Sequence, residues 1–313
     1  MNTRVLFLFM MCFGILLHGC VKRDKHGNIL DNPTSGSIKI AVDESLRPLI
    51  EAEVDTFQGS YHNAFIHAVY TSEAEAMERL LKDSVRLAIV TRKLTDDEMQ
   101  VFNQVKIIPA QVKVAYDGVA IILNRNNPDS VLQFSQLQSI VEGKLTQWNQ
   151  INHSNKLGNL EVVFDHPQSG IVRFLNDSIQ RVDKLPSHFY GVNGNEAVIQ
   201  YVSQKPNAIG LIGACWISDR DDVTTNRFLN TIRVARIAKL GDAVQPYQAY
   251  IADGEYPLRR AVYMISREAR TGLGTGFISF VAGDKGQRIV LKSGMVPATM
   301  PTRNVRFNKN NLE

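Results

Sequence analysis

Two segments of the sequence place a hydroxyl side chain at the start of a predicted helix, where an anion can bind. Ser45-Leu46 follows an apolar strand and precedes residues with helical spacing, and Ser169-Gly170-Ile171 begins a second predicted helix. The first N–H groups of a helix have no partner within it, and the helix dipole adds positive charge there. Ser169 is expected to cap its helix, and Gly170 lets a ligand approach the backbone closely. We therefore predict an oxyanion site at these two helix starts.

Charged and polar side chains elsewhere could complete such a site. Arg92 offers a forked, charge-assisted contact and Thr91 a hydroxyl, and Arg173 lies one turn beyond the second helix start. Asp117 or Asp165 could accept a hydrogen bond from a protonated oxyanion. Each residue also has an ordinary alternative. The arginines could be solvated or paired with carboxylates, and the aspartates could belong to turns or caps.

Composition bounds the class of protein. The chain has 313 residues, of which 44% are hydrophobic and 21% charged, and its formal net charge is +4. These values are typical of a globular protein, and the length is sufficient for two domains. The small, dispersed charge excess argues against nucleic-acid binding.

Catalytic and metal-binding motifs are missing from the sequence. It contains no His-Glu-x-x-His, P-loop, Gly-x-Ser-x-Gly or Cys-x-x-Cys pattern, and its 7 histidines show no ligand spacing. We therefore predict a binding protein that is not an enzyme and carries no metal or cofactor.

The amino terminus has the features of a lipoprotein signal peptide. An apolar run too short to span a membrane ends in Leu17-His18-Gly19-Cys20, which resembles the bacterial lipobox, although His18 departs from the usual pattern. The prediction is a signal peptide over residues 1–19, lipidation of Cys20, and a tether over 20–36 that holds the protein on the outer face of a membrane.

The remaining sequence alternates predicted strands and helices, which implies a sheet covered by helices. The predicted strands are 37–42, 64–70, 86–90, 106–109, 118–123, 160–164 and 261–266. The predicted helices include 49–57, 72–82, 134–142, one from residue 169, and 275–292.

Several short strings, in order along the chain, resemble the phosphate-binding (PstS-like) solute-binding proteins of ABC transporters. The strings are TRKL at 91–94, DGVAIILN at 117–124, NNP at 126–128, GKLTQW at 143–148, SGI at 169–171, NAIGL at 207–211, YPLRR at 256–260, GQR at 286–288 and GMVP at 294–297. The resemblance extends over residues 37 to 300.

This resemblance implies a two-lobe α/β fold of the periplasmic binding protein-like type II class, with a hinge and a ligand cleft between the lobes. The expected bounds are 37–123 plus 226–303 for lobe 1 and 124–225 for lobe 2. It further implies a monomer that captures inorganic phosphate and delivers it to the permease of an ABC importer. The phosphate site would be formed by Ser45, Leu46, Thr91, Arg92, Asp117, Ser169, Gly170, Ile171 and Arg173.

Three departures from the family pattern leave the ligand open. Arg92 stands where some members have an acceptor aspartate, Asp165 where many have an arginine, and Ile171 where they have a threonine. A carboxylate acceptor rejects sulfate, so its loss bears on selectivity. The alternatives are therefore another oxyanion in the same fold, a lipoprotein that serves as a sensor or assembly partner without binding a solute, and a phosphoester hydrolase.

Overall fold

The computed structural model describes residues 31–179 and 184–301. The predicted signal peptide, Cys20 and most of the predicted tether lie outside the described residues. Within the described ranges, no helix is both long enough and apolar enough to cross a membrane.

Strands and helices alternate along most of the described chain, as the sequence predicts. The strands are β1 (Gly36–Asp43), β2 (Ala64–Thr71), β3 (Leu87–Val90), β4 (Ala110–Asn124), β5 (Val131–Gln133), β6 (Glu161–Phe164), β7 (Phe189–Gly191), β8 (Ala208–Gly213), β9 (Ile232–Val234), β10 (Arg236–Ala238), β11 (Arg259–Ser266) and β12 (Val296–Pro297). The α-helices are α1 (Arg47–Ser60), α2 (Glu73–Leu81), α3 (Asp96–Gln104), α4 (Phe134–Val141), α5 (Trp148–Ile151), α6 (Gly170–Ser178), α7 (Asn195–Gln204), α8 (Val223–Leu229), α9 (Gln248–Asp253), α10 (Leu273–Ala282) and α11 (Asp284–Lys292). Short 3-10 turns at Glu44–Leu46 and Ala214–Trp216 follow β1 and β8.

Ten strands form one mixed sheet in the order β2-β1-β3-β11-β4-β8-β6-β7, and β9 and β12 also pair with β4. β1 is parallel to both β2 and β3, whereas β11 is antiparallel to β3 and to β4. On the other side of β4, β6 is parallel to β7 and β8. β5 and β10 form a separate parallel pair. The prediction of a mixed α/β fold is confirmed.

The predicted strand at 106–109 is wrong. Lys106 follows the end of α3 with a positive φ of 56°, and residues 107–109 belong to no strand. The next strand is instead much longer than the apolar run at 118–123, because it begins at Ala110 and pairs with β11 along its first half. Polar residues alternate with apolar ones over that half, and this hides the strand from a search for apolar runs.

The predicted helix over 275–292 is interrupted. Gly283, with extended backbone angles, ends α10 and begins α11. Gly286 then lies so close to the backbone of Val281 that a β-carbon would overlap it. The two helices can therefore pack tightly at this corner only where side chains are absent.

β4 connects the two halves of the sheet. Its residues up to Gly118 pair with β11, and from Val119 onward they pair with β8. A β-carbon on Gly118 would press on Tyr256 at 3.2 Å, and the Leu258 carbonyl accepts a hydrogen bond from the Val119 N–H at 2.9 Å. We propose that the chain passes between lobes at Gly118-Val119 and again next to Leu258. The bounds 37–123 plus 226–303 and 124–225, which place the two crossings elsewhere, stay predictions.

The core of the lobe 1 half contains a buried acid. Glu53 lies on the face of α1 that also buries Leu49, Ile50 and Phe57, and it is fully buried. Neither of its carboxyl oxygens has a hydrogen-bond partner among the described residues. Burial raises the pKa of Glu53 to about 9, so this side chain is neutral at pH 7 in the folded protein.

Glu53→Gln should increase stability at alkaline pH. The folded-state pKa of Glu53 lies above the unfolded value, so its contribution is complete below about pH 4.5 and is lost as the pH rises toward 9. Urea unfolding at pH 8 should show the variant to be more stable by about 5 kcal/mol, and at pH 4.5 the difference should nearly vanish. Asp55→Asn, at an exposed position of the same helix, is the control. An equal effect at both pH values would contradict the prediction.

Candidate functional site

The start of α6 has the geometry predicted from the sequence. Ser169 is the N-cap residue, and its hydroxyl accepts a hydrogen bond from the Val172 N–H at 3.3 Å. Gly170 is the first helical residue, and its N–H is directed at a residue of the other lobe. The helix start is therefore available for a contact between lobes.

The acceptor at this helix start is a carboxylate of the protein itself. Gly170 N–H donates to Asp43 Oδ2 at 3.1 Å. The other oxygen of Asp43 accepts from the Ser45 N–H at 2.9 Å and from the Ser45 hydroxyl at 2.8 Å. Ser45 and Gly170, the two predicted helix starts, thus meet at one anionic group.

A second carboxylate collects the predicted donors of the next two segments. Glu73, at the start of α2, accepts from the Thr91 N–H at 2.8 Å and from the Thr91 hydroxyl at 2.6 Å. Arg173, on α6, pairs through Nε with the same carboxylate and also donates to the Thr91 hydroxyl at 2.9 Å. The structure therefore brings Thr91 and Arg173 together, but around Glu73.

A third acid, Glu44, makes a nearby contact from lobe 1 to lobe 2. Glu44 accepts a hydrogen bond from the backbone N–H of Asn195, the first residue of α7, at 2.9 Å, and it also pairs with the Asn195 side chain. Between backbones, the Ala74 N–H donates to the Gln168 carbonyl at 3.2 Å. Three acidic residues of lobe 1 therefore contact two helices of lobe 2, α6 and α7.

Asp117 is completely buried and forms an ion pair with Arg260. The guanidinium donates to Asp117 Oδ2 through Nε at 3.0 Å and through Nη2 at 2.8 Å. Nη2 also donates to the Ser45 hydroxyl at 2.8 Å. Asp117 thus pairs with an arginine through Oδ2, its Oδ1 has no hydrogen-bond partner among the described residues, and its role as an acceptor for the ligand stays a prediction.

The other predicted residues differ in what they present to the cleft. Both amino groups of Arg92 bind the Glu98 carboxylate, at 2.6 and 2.7 Å, so its fork is engaged. Leu46 and Ile171 bury their side chains in the cores of the two lobes. Only the backbone N–H groups of these two residues could contribute to a site.

Burial and neighbouring charges shift the pKa values of the acids in the cleft. Burial raises the pKa of Asp43, and the Glu73 charge raises it further. Burial, followed by the Asp43 charge, raises the pKa of Asp165 to about 7. Burial also opposes ionisation of Glu73, but Arg173 outweighs it and the pKa of Glu73 lies below its usual value. Glu73 is therefore an anion, whereas Asp43 and Asp165 bind protons more readily than ordinary aspartates.

Two cavities flank this acidic cluster. One, of about 350 Å³, is lined by Glu73, Arg92, Ser169 and Arg173 among others. The second, of about 340 Å³, is lined by Glu44, Arg47, Tyr70, Asp165 and His166 among others. Among the described residues no group of acids, histidines and cysteines is arranged to hold a metal ion.

Sequence reasoning missed Asp43, Glu73 and Arg260 as members of the site. Each had a local signal: Asp43 directly ends a buried strand, Glu73 follows the N-cap Ser72, and Arg260 ends the YPLRR string. None of these signals indicates which distant residue the side chain will meet.

Comparisons with known proteins agree with this architecture. A family profile described as a PBP superfamily domain matches residues 30–285. The chain belongs to the PBP superfamily. The chain is similar in structure to a candidate phosphate ABC transporter substrate-binding protein from Clostridium perfringens, which was solved with bound phosphate. It superposes with a TM-score of 0.72 at 21% identity, over 84% of this chain and all of the other.

Further relatives carry related names. An ABC-type phosphate transport receptor from Vibrio cholerae superposes with a TM-score of 0.63 at 19% identity, over 84% of this chain and 100% of that one. The phosphate-binding protein PstS of Pseudomonas aeruginosa is 25% identical over 280 residues, which is 84% of this chain and 83% of that protein. The predicted likeness to PstS-type proteins and the predicted fold class are confirmed.

Removing the buried guanidinium of Arg260 should destabilise the folded protein. Arg260→Met leaves Asp117 buried without its partner and should lower the free energy of unfolding by about 3–5 kcal/mol. The double variant Arg260→Met/Asp117→Leu should be less destabilised than the single one, because it buries no unpaired charge. Lys82→Met, in an exposed ion pair, should cost less than about 1 kcal/mol. Denaturant unfolding measures all three, and similar losses for Arg260→Met and Lys82→Met would contradict the assignment.

Proposed function

We propose that this protein is an extracytoplasmic solute-binding protein that captures phosphate between its lobes and delivers it to the permease of an ABC importer. The proposal places the oxyanion at the donors of Ser45, Thr91, Gly170 and Arg173. It assigns binding without catalysis, since the relatives are named as binding proteins and substrate-binding components.

One observation carries the proposal. Donors from both lobes, the Ser45 N–H and hydroxyl and the Gly170 N–H, converge on a single anionic group, the carboxylate of Asp43. A helix start with a glycine at its first position suits a dehydrated oxyanion, because the backbone donors and the helix dipole act together. The same donors could bind a phosphate if the carboxylate moves away.

The acceptor for a phosphate proton is assigned to Asp165. It lies in lobe 2 at the edge of the cleft, it is buried, and its Oδ1 has no hydrogen-bond partner among the described residues, so this oxygen can accept a proton from the ligand. Asp117 is less suited, because Arg260 binds its carboxylate. Another oxyanion in the same cleft is the remaining alternative for the ligand.

Membrane attachment is part of the proposal. The segment Leu17-His18-Gly19-Cys20 lies outside the described residues, and lipid on Cys20 would keep the binding protein near its permease. The only cysteine of the described residues, Cys215, is buried, so it does not offer an alternative attachment site.

Phosphate should stabilise the purified full chain, kept in detergent, in a saturable way. At one hundred times the dissociation constant the gain is about 2.7 kcal/mol. Arsenate should act like phosphate and sulfate should act weakly, because only the first two carry a proton that Asp165 can accept. Ser45→Ala should lower the affinity for phosphate at least tenfold, whereas Ser60→Ala, at the exposed end of α1, should leave it unchanged. Calorimetric titration at constant ionic strength measures these affinities, and equal affinity for sulfate would exclude the assigned acceptor.

Cys20→Ser should abolish lipid attachment. In cells fed a labelled fatty acid, the wild-type chain should carry the label and enter the detergent phase, whereas Cys20→Ser should not. Cys12→Ser, which alters the predicted signal peptide but not the attachment residue, should keep the label. Labelled Cys20→Ser protein would refute lipidation at this position.

A further inference from the structure

Several hydrogen-bond donors of the cleft are already occupied by acids of lobe 1. Asp43 holds the Gly170 N–H, and Glu73 holds Arg173 together with Thr91. We propose that Asp43 and Glu73 are built-in anionic ligands of the cleft: they hold the lobes closed without a solute, and an oxyanion binds only after they leave their donors. This inference rests on the proposed function, whose site it concerns.

The hydrogen-bond inventory gives the first argument. A backbone N–H carries one proton, and those of Ser45, Thr91 and Gly170 each donate it to a carboxylate oxygen. The Ser45 and Thr91 hydroxyls donate theirs to the same two carboxylates. An oxyanion that enters this arrangement would find its donors engaged, so it must compete with the carboxylates directly.

Charge gives the second argument. Each arginine at the cleft has a carboxylate partner: Arg173 binds Glu73, Arg92 binds Glu98, and Arg260 binds Asp117. Asp43 and Asp165 add further acidic groups, and burial first and a neighbouring carboxylate second raise the pKa of each. A dianion placed here without a rearrangement would add negative charge to a buried cluster in which every arginine named is already paired.

Space gives the third argument. A β-carbon added to Gly170 would overlap Asp43 Oδ2 and would lie 2.7 Å from the Thr91 hydroxyl and 2.8 Å from Glu73 Oε2. The volume directly above the first residue of α6 is therefore filled by oxygens of lobe 1. An oxyanion needs that same volume to reach the Gly170 N–H.

The contacts also explain closure. In a solute-binding protein the ligand ordinarily bridges the lobes and shifts the population toward the closed form. Here Asp43 and Glu73 bridge them, and the Glu44 contact with Asn195 adds a third link at the start of α7. Under this proposal these contacts favour the closed form whether or not phosphate is present, and the affinity for phosphate is multiplied by the fraction of molecules that are open.

The test compares the full chain with Asp43→Ala/Glu73→Ala by small-angle scattering and calorimetric titration with phosphate. The wild-type radius of gyration should be the same with and without phosphate. That of the double variant should be larger without phosphate and fall to the wild-type value with it. The variant should bind phosphate at least tenfold more tightly than the wild type, because its donors are free.

The matched control is Asp55→Ala/Glu78→Ala, which removes the same number of negative charges from the exposed surface of lobe 1. It should behave as the wild type in both measurements. If the double cleft variant does not fold, Glu73→Gln keeps the side-chain shape and removes the charge that binds Arg173, and its affinity for phosphate should rise several-fold.

The outcomes separate the two proposals. Two results would overturn the proposal that Asp43 and Glu73 are built-in ligands and leave the proposed function intact. One is a wild-type protein that contracts on binding phosphate, and the other is a cleft variant with wild-type dimensions and affinity. If neither protein binds phosphate, arsenate or sulfate, the proposed function fails. In that case the radius of gyration of the cleft variant without phosphate still decides whether the carboxylates close the lobes.

Discussion

The buried ion pair between Asp117 and Arg260 fixes the part of the structure on which the cleft depends. The two residues are directly opposite each other on β4 and β11, and two residues later, at Val119, β4 pairs with β8 instead of β11. Arg260 also binds the Ser45 hydroxyl, and Ser45 in turn binds Asp43. A chain of buried polar contacts therefore runs from the sheet to the start of α6. Burying a polar or charged group without a partner costs free energy, so each contact in this chain fixes the position of the next side chain.

The two lobes meet through acids of one and helix starts of the other. Asp43 contacts the first N–H of α6 and Glu44 the first N–H of α7, so both carboxylates lie at the positive ends of helix dipoles. This is the arrangement that favours a bound oxyanion. The same physics that would hold the proposed phosphate also holds the protein's own carboxylates.

The departures from the PstS-like pattern have a common structural context. The sequence has Asp165 where many members have an arginine, but Arg173 and Arg260 bring positive charge to the cleft from other positions. Each is matched by an acid, Glu73 for the first and Asp117 for the second. Both arginines are therefore neutralised by acids of the protein itself.

The sequence by itself determined the local features of this protein: most strands, the helix start at Ser169, the start of α1 to within two residues of Ser45, and, through short strings in order, the two-lobe family. These depend on neighbours within a few residues, such as the N-cap contact of Ser169 with Val172. Only the tertiary structure decided which acids meet those helix starts. Asp43 and Gly170 are 127 residues apart, and the packing of two lobes, rather than any local pattern, brings them together.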